Sequence, residues 1–110
     1  MTNYSLFLDD IRQPPRTQSS ELDQEWVVAR SSNEAIQIIM ERGIPNKISF
    51  DHDLGGEDTA MFLIHWIIES VLDQELNIPP DFQYTIHSAN PVGKANIDGL
   101  MKSFLKSITT

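Results

Sequence analysis

Short apolar runs alternate with stretches of helical periodicity along this chain of 110 residues. Four runs have the length and the aliphatic or aromatic content of buried strands. They cover residues 4–8, 26–29, 48–50 and 82–86. The polar segment 14–24, which opens with two prolines, is expected to be a loop with at most one helical turn. The order of the elements is therefore strand, strand, helix, strand, helix, strand, helix.

Capping residues predict where two of the helices begin and end. Ser31 with Glu34 three residues later has the capping-box pattern, and Gly43 is a typical helix terminator. Asn90 followed by Pro91 is typical of the N-cap and first position of a helix. The last helix then carries apolar residues at helical spacing to the end of the chain.

The middle helix is predicted over residues 60–74, with Asp58 or Thr59 as its N-cap. It is apolar on most faces. Such a helix is either heavily buried or covers part of its surface with a second copy, which would make a homodimer. Gly55 and Gly56, just before it, form either a mobile lid or a tight turn.

Strands that alternate with helices predict a parallel sheet with right-handed crossovers. For four strands we expect one small α/β domain over residues 1–110, with a flavodoxin-like or receiver-like three-layer architecture. The expected strand order is 2-1-3-4, with helices on both faces of the sheet. In that order the switch point lies between strands 1 and 3, and ligands bind outside the carboxyl ends of the strands there.

Composition narrows the classes of partner. Sixteen acidic residues against eight basic ones give a formal charge of −8, which argues against binding to long nucleic acid. The chain has no cysteine and no basic stretch followed by an apolar run at its start, so we expect a cytoplasmic protein without a signal peptide. The longest apolar run, residues 61–64, is too short to span a bilayer, and no membrane partner is expected.

Two acidic clusters follow predicted strands directly. Asp9 and Asp10 come after the first strand, and Asp51, His52 and Asp53 come after the third. Carboxylates at buried strand ends are costly unless they bind something. Asp9, Asp10 and Asp51 could hold Mg²⁺ or Mn²⁺, with Asp53 as a further ligand. The structural alternative is that these acids only cap turns and helices.

Two histidines lie just past neighbouring strands. His52 and His87 could act as general base and general acid on one substrate near neutral pH, with Asp51 as a third catalytic residue and Asp53 orienting His87. They could instead be metal ligands beside the carboxylates. His65 lies inside the apolar helix, and we interpret it as a structural residue.

The turn into the last helix is a candidate phosphate site. Ser88 and Asn90 precede a helix N-terminus, whose free N–H groups favour an anion, and Gly93 would let a ligand approach the backbone. Arg12 could clamp a phosphate, or it could only neutralise the acidic pair. Capping by Asn90 is compatible with either interpretation.

The chain resembles the receiver domains of two-component signalling. By this resemblance Asp9 and Asp10 would be the metal-binding pair and Asp51 the phosphoryl acceptor, and Ser88 would occupy the place of the Ser or Thr that follows strand 4. A fifth strand ending in a lysine, which receivers have, is not visible in the sequence.

A closer resemblance is to a divergent receiver-derived family, the cyclic-phosphate processing receiver domains. Three stretches carry it: LFLDDIRQPP at 6–15, ISFDHDLG at 48–55 and IHSANPVG at 86–93. The resemblance implies that a cyclic phosphate is the substrate.

The sequence therefore leaves three hypotheses. The first is a small phosphoesterase acting on a 2′,3′-cyclic RNA end or a cyclic nucleotide at a carboxylate–histidine site. The second is a receiver-like binding module without turnover. The third is phosphoryl acceptance at Asp51.

Overall fold

The computed structural model describes residues 4–12 and 26–108, so the loop predicted over 14–24 lies outside its described part. The four strands lie where the apolar runs predicted them, with ends that differ by no more than one residue. In chain order the elements are β1 (Ser5–Leu8), β2 (Trp26–Ala29), α1 (Ser32–Arg42), β3 (Lys47–Phe50), α2 (Ala60–Leu72), β4 (Gln83–Ile86) and α3 (Pro91–Ile108).

The strands form a four-stranded parallel sheet in the order β2-β1-β3-β4. This confirms the predicted receiver-like order. The last residues of the four strands are in register: Leu8 pairs with Ala29 on one side and Phe50 on the other, and Phe50 pairs with Ile86. The residues that follow them are consequently brought side by side at one edge of the sheet.

One hydrophobic core joins the sheet to all three described helices. Leu6, Leu8, Ile48 and Phe50, which alternate along the two central strands, are fully buried in it. Since β2 to β3 and β3 to β4 step in the same direction across the sheet, right-handed crossovers place α1 and α2 on one face. The expected helical layer on the other face remains a prediction.

The ends of α1 follow the predicted caps. The Ser31 side chain accepts a hydrogen bond from the backbone N–H of Glu34 at 3.0 Å. Gly43 ends the helix with a φ of 85°, a left-handed conformation that glycine adopts at little cost.

Helix α2 is capped by Thr59 and ends two residues before the predicted position 74. Gln74 adopts a left-handed φ of 64°. Its N–H donates to Val71, and that of Glu75 donates to Ser70, which is the Schellman pattern of helix termination. This helix therefore ends at a non-glycine residue with a left-handed backbone, so no glycine in the sequence marks its end.

The apolar residues of α2 are only partly accounted for by the core. Leu63, Ile64 and Ile67 are buried, but Phe62 is 60% and Leu72 63% exposed. His65 is exposed as well, so it is a surface residue. Within residues 4–12 and 26–108, no helix is both long and apolar enough to cross a membrane.

Candidate functional site at the carboxyl edge of the sheet

Four side chains follow the ends of the four parallel strands. In sheet order they are Arg30, Asp9, Asp51 and His87. The backbone N–H of each of the last three donates to the final carbonyl of a neighbouring strand at 2.9 to 3.1 Å, so the ladder extends one residue beyond the strands. The side chains that follow β1, β3 and β4 were predicted to converge at the switch point. They do so because the ends of these strands are in register.

Asp9 is the most enclosed member of this row, with no exposed surface. Its Oδ1 accepts the backbone N–H groups of Ile11 and Arg12, both at 2.9 Å, and its Oδ2 lies 2.9 Å from Nε2 of His87. Burial opposes ionisation of Asp9, but the backbone hydrogen bonds and His87 outweigh it and hold the pKa of this carboxyl below its usual range.

His87 is held at both ring nitrogens. Because Asp9 is ionised, Nε2 of His87 carries the proton that it donates to Asp9, while Nδ1 lies 2.7 Å from the hydroxyl of Ser49. The imidazole also stacks on Phe7, with ring centroids 4.6 Å apart and planes 5° from parallel. Ser49 was missed by the sequence reasoning. Strand alternation offered the signal, since it puts Ser49 on the same face as Asp51.

Asp51 completes a cluster with Asp9 and His87. One ligand atom from each lies within 4.8 Å of the others. Burial, and next the negative charge of Asp9, raise the pKa of Asp51, while His87 and Arg12 act in the opposite direction. Two carboxylates that repel each other beside an imidazole fit a divalent cation. Asp10 and Asp53, which were also predicted to be ligands, lie outside this cluster.

His52 belongs to a second cluster, which lies after β3 and against the start of α3. Its Nδ1 lies 3.0 Å from Oδ1 of Asp53, whose Oδ2 accepts the side-chain amide of Asn90 at 3.2 Å. The hydrogen bond from His52, then that from Asn90, lowers the pKa of Asp53. Nδ1 of His52 is therefore the donor, and among the described residues nothing bonds its Nε2. Asp53 orients His52 rather than His87.

Ser88, Asn90 and Gly93 are already engaged with protein groups. The hydroxyl of Ser88 accepts the N–H of Asn90 at 3.1 Å, and Oδ1 of Asn90 accepts the N–H of Gly93 at 3.0 Å, which caps α3 as predicted. The space beside Gly93 is taken by the imidazole of His52. The close approach expected at this glycine is made by a side chain of the protein.

The glycine pair after the second acidic cluster forms a tight, anchored turn. Gly55 and Gly56 have left-handed φ values of 93° and 57°, and Leu54 is buried beside them. Asp58 accepts the N–H of Ser32 at 2.9 Å and its hydroxyl at 2.5 Å, which ties the turn to the start of α1. The turn interpretation, and not the lid, agrees with these contacts.

Two arginines border the buried carboxylates. Arg12 donates to the backbone carbonyl of His87 at 3.0 Å, its Nε lies 3.9 Å from Oδ2 of Asp9, and half of its side chain is exposed. Arg30 donates to the carbonyls of Asp9 and Arg12 at 3.2 and 2.5 Å. Arg30 was missed, although its place directly after β2 matches that of the acids after β1 and β3.

The fold and this edge together define a receiver-like α/β protein with an altered site, in which histidines join the strand-end carboxylates. Comparison with known families agrees, because the sequence model of the cyclic-phosphate processing receiver domain matches residues 4–103. The chain belongs to that family. Searches of curated proteins and of solved structures gave no match.

Proposed function

We propose that this chain is a phosphoesterase that opens a cyclic phosphate, such as a 2′,3′-cyclic RNA end or a cyclic nucleotide. The observation that carries the proposal is His52, whose Nδ1 is held by Asp53 while Nε2 has no partner among the described residues. An imidazole oriented in this way presents a lone pair at Nε2 and can accept a proton. Family membership supports the substrate class.

His52 and His87 have complementary roles in this proposal. Water attacks phosphorus while neutral His52 accepts its proton at Nε2. The bond from phosphorus to the leaving ring oxygen breaks, and that oxygen takes the proton from Nε2 of His87. The ionised Asp9 beside His87 stabilises the protonated ring before the transfer. The products are a phosphate monoester and a free hydroxyl.

Arg12 is proposed to stabilise the developing negative charge. Half of its side chain is exposed, and within the described residues one of its five N–H donors bonds the carbonyl of His87 while Nε lies 3.9 Å from Asp9. The side-chain oxygens of Ser88 and Asn90 already accept backbone N–H groups at the start of α3. We therefore propose that these two residues assist phosphate binding by shaping the N-terminus of α3, which favours an anion.

In an alternative form of the site, Asp9, Asp51 and His87 would hold a divalent cation, and Nε2 of His87 would then be a ligand instead of a proton donor. A mixed set of carboxylate and imidazole ligands favours Mn²⁺ over Mg²⁺, which prefers oxygen ligands alone. Such an ion would neutralise phosphoryl oxygens next to the carboxylates. The protein's own part is to keep Asp9 ionised and His87 fixed on Phe7.

The test is turnover of 2′,3′-cyclic and 3′,5′-cyclic nucleotides, with and without Mn²⁺ or Mg²⁺, followed by phosphate-ester product analysis. We expect turnover of at least one class. No turnover of any cyclic phosphate by folded protein would refute the proposal and favour a binding module.

Phosphoryl acceptance at Asp51 is a second candidate, favoured by its place beside Asp9 and its remaining 9% exposure. Within residues 4–12 and 26–108, the charges that act on Asp51 come from Asp9, His87 and Arg12, and no lysine is among them. Labelling by acetyl phosphate that Asp51→Asn abolishes would support this function over hydrolysis.

The exposed residues of α2 support a homodimer as a further proposal. Phe62 and Leu72 are large apolar residues that α2 leaves exposed, and a second copy could cover them. Sedimentation should then give a dimer for the unmodified chain and a monomer for Phe62→Asp. A monomer for both would contradict the homodimer.

For the chain we also propose a cytoplasmic location, which fits its lack of cysteine.

A further inference from the structure

We propose that Gly93 is a positioning residue for His52: the missing side chain lets the imidazole pack directly on the first turn of α3, and this contact sets the direction of Nε2. The inference rests on the proposed role of His52 as general base. Gly93 itself would touch neither substrate nor reacting atoms.

The space beside Gly93 is filled by the His52 side chain. A Cβ atom at position 93 would lie 2.4 Å from Cγ of His52 and 2.8 Å from both its Cβ and its Cδ2. Real Cβ contacts are not this short, so any larger residue must displace the ring. Gly93 is not in the left-handed region. The need for glycine is therefore one of space and not of backbone conformation.

The first turn of α3 fixes His52 from two directions. Asn90 holds the Asp53 carboxylate that bonds Nδ1, and Gly93 lies against the carbon atoms of the ring. The side chain of Asp53 is 64% exposed, so its bond to His52 competes with water and holds the ring weakly by itself. The His52 side chain, which packs on Gly93, is only 14% exposed, so packing holds the ring in addition to this bond.

Gly99 offers a matched control in the same helix. A Cβ there would meet no atom within 4 Å. Gly93→Ala and Gly99→Ala each add one methyl group to α3, the first against His52 and the second into open space. A difference between the two variants therefore reports the contact with His52.

The first measurement is NMR on the full chain without substrate. We expect a nuclear Overhauser effect between the Hα protons of Gly93 and Hδ2 of His52, with Gly93→Ala shifting the His52 ring resonances and Gly99→Ala leaving them unchanged. Absence of this effect in the unmodified chain would overturn the inference, and that result does not depend on whether Gly93→Ala folds.

The second measurement is turnover of the cyclic nucleotide that the unmodified chain accepts best. Displacement of the base should lower kcat about 10²-fold in Gly93→Ala, with KM changed less than about twofold, while Gly99→Ala keeps both values. Unchanged kcat in Gly93→Ala would overturn the inference. If the unmodified chain turned over nothing, the proposed function would fail, and the NMR result alone would decide whether Gly93 positions His52.

Discussion

The imidazole of His87, on the strand end of β4, reaches across β3 to Asp9 on β1, with Nε2 2.9 Å from Oδ2. The contact spans the position of Asp51, because Asp51 follows β3 and β3 lies between β1 and β4 in the sheet. It also divides the histidines into two kinds. His87 is held at both nitrogens, whereas His52 is held at one.

Removal of the charge of Asp9 and removal of the charge of Asp51 should change the free energy of unfolding in opposite directions. At pH 7, Asp9→Asn should lower the free energy of unfolding by about 1–3 kcal/mol, since it removes the ionised partner of His87. Asp51→Asn should raise the free energy of unfolding, because burial and the charge of Asp9 disfavour the ionised Asp51. Urea unfolding of both variants measures the signs. A destabilised Asp51→Asn would contradict this account.

The contributions of Asp9 and Asp51 to the free energy of unfolding should depend differently on pH. The folded-state pKa of Asp9 is lowered, so its stabilisation is present above the usual carboxyl range and is lost as the pH falls through that lowered pKa. The folded-state pKa of Asp51 is raised, so its penalty disappears as the pH falls to the usual carboxyl range. Urea unfolding between pH 3 and 7 should therefore show the advantage of Asp51→Asn shrinking toward acid. A constant advantage would contradict the raised pKa.

Divalent cations should bind through Asp9, Asp51 and His87. We expect Mn²⁺ to bind more tightly than Mg²⁺ in calorimetry, and His87→Ala to weaken Mn²⁺ binding at least about tenfold. Asp10→Asn is the matched control, because Asp10 lies outside the cluster, and it should retain most of the affinity. Equal losses in the two variants would contradict this ligand set.

Gly99→Ala should stabilise the chain by about 1 kcal/mol, because alanine is preferred over glycine in a helix and the added methyl group meets open space. Thermal unfolding measures this gain. If Tm does not rise, this would contradict the conclusion that a methyl group at position 99 meets open space.

Apolar runs predicted the strands, and capping residues predicted where helices begin. The order that is common in small flavodoxin-like domains predicted the strand order, which brings Asp9, Asp51 and His87 together. The strands follow from local pattern, whereas their order follows from the fold class. The end of α2 was less predictable, since Gln74 is a non-glycine residue in a left-handed conformation.

The partners of individual side chains could not be predicted. The sequence puts His52 and His87 past adjacent strands, but only the packed structure assigns Asp53 to His52 and Ser49 to His87. These choices depend on rotamers and on the position of α3, which no periodicity encodes. Arg30 was missed because it follows a strand without an acidic cluster.

The most direct test of the proposed esterase compares His52→Ala with His65→Ala, using the cyclic nucleotide that the unmodified chain turns over best. His65 is exposed on α2, belongs to neither histidine cluster, and serves as the control. We predict that His52→Ala lowers kcat by about 10²–10⁴-fold and that His65→Ala leaves it unchanged. Full activity of folded His52→Ala would contradict the account.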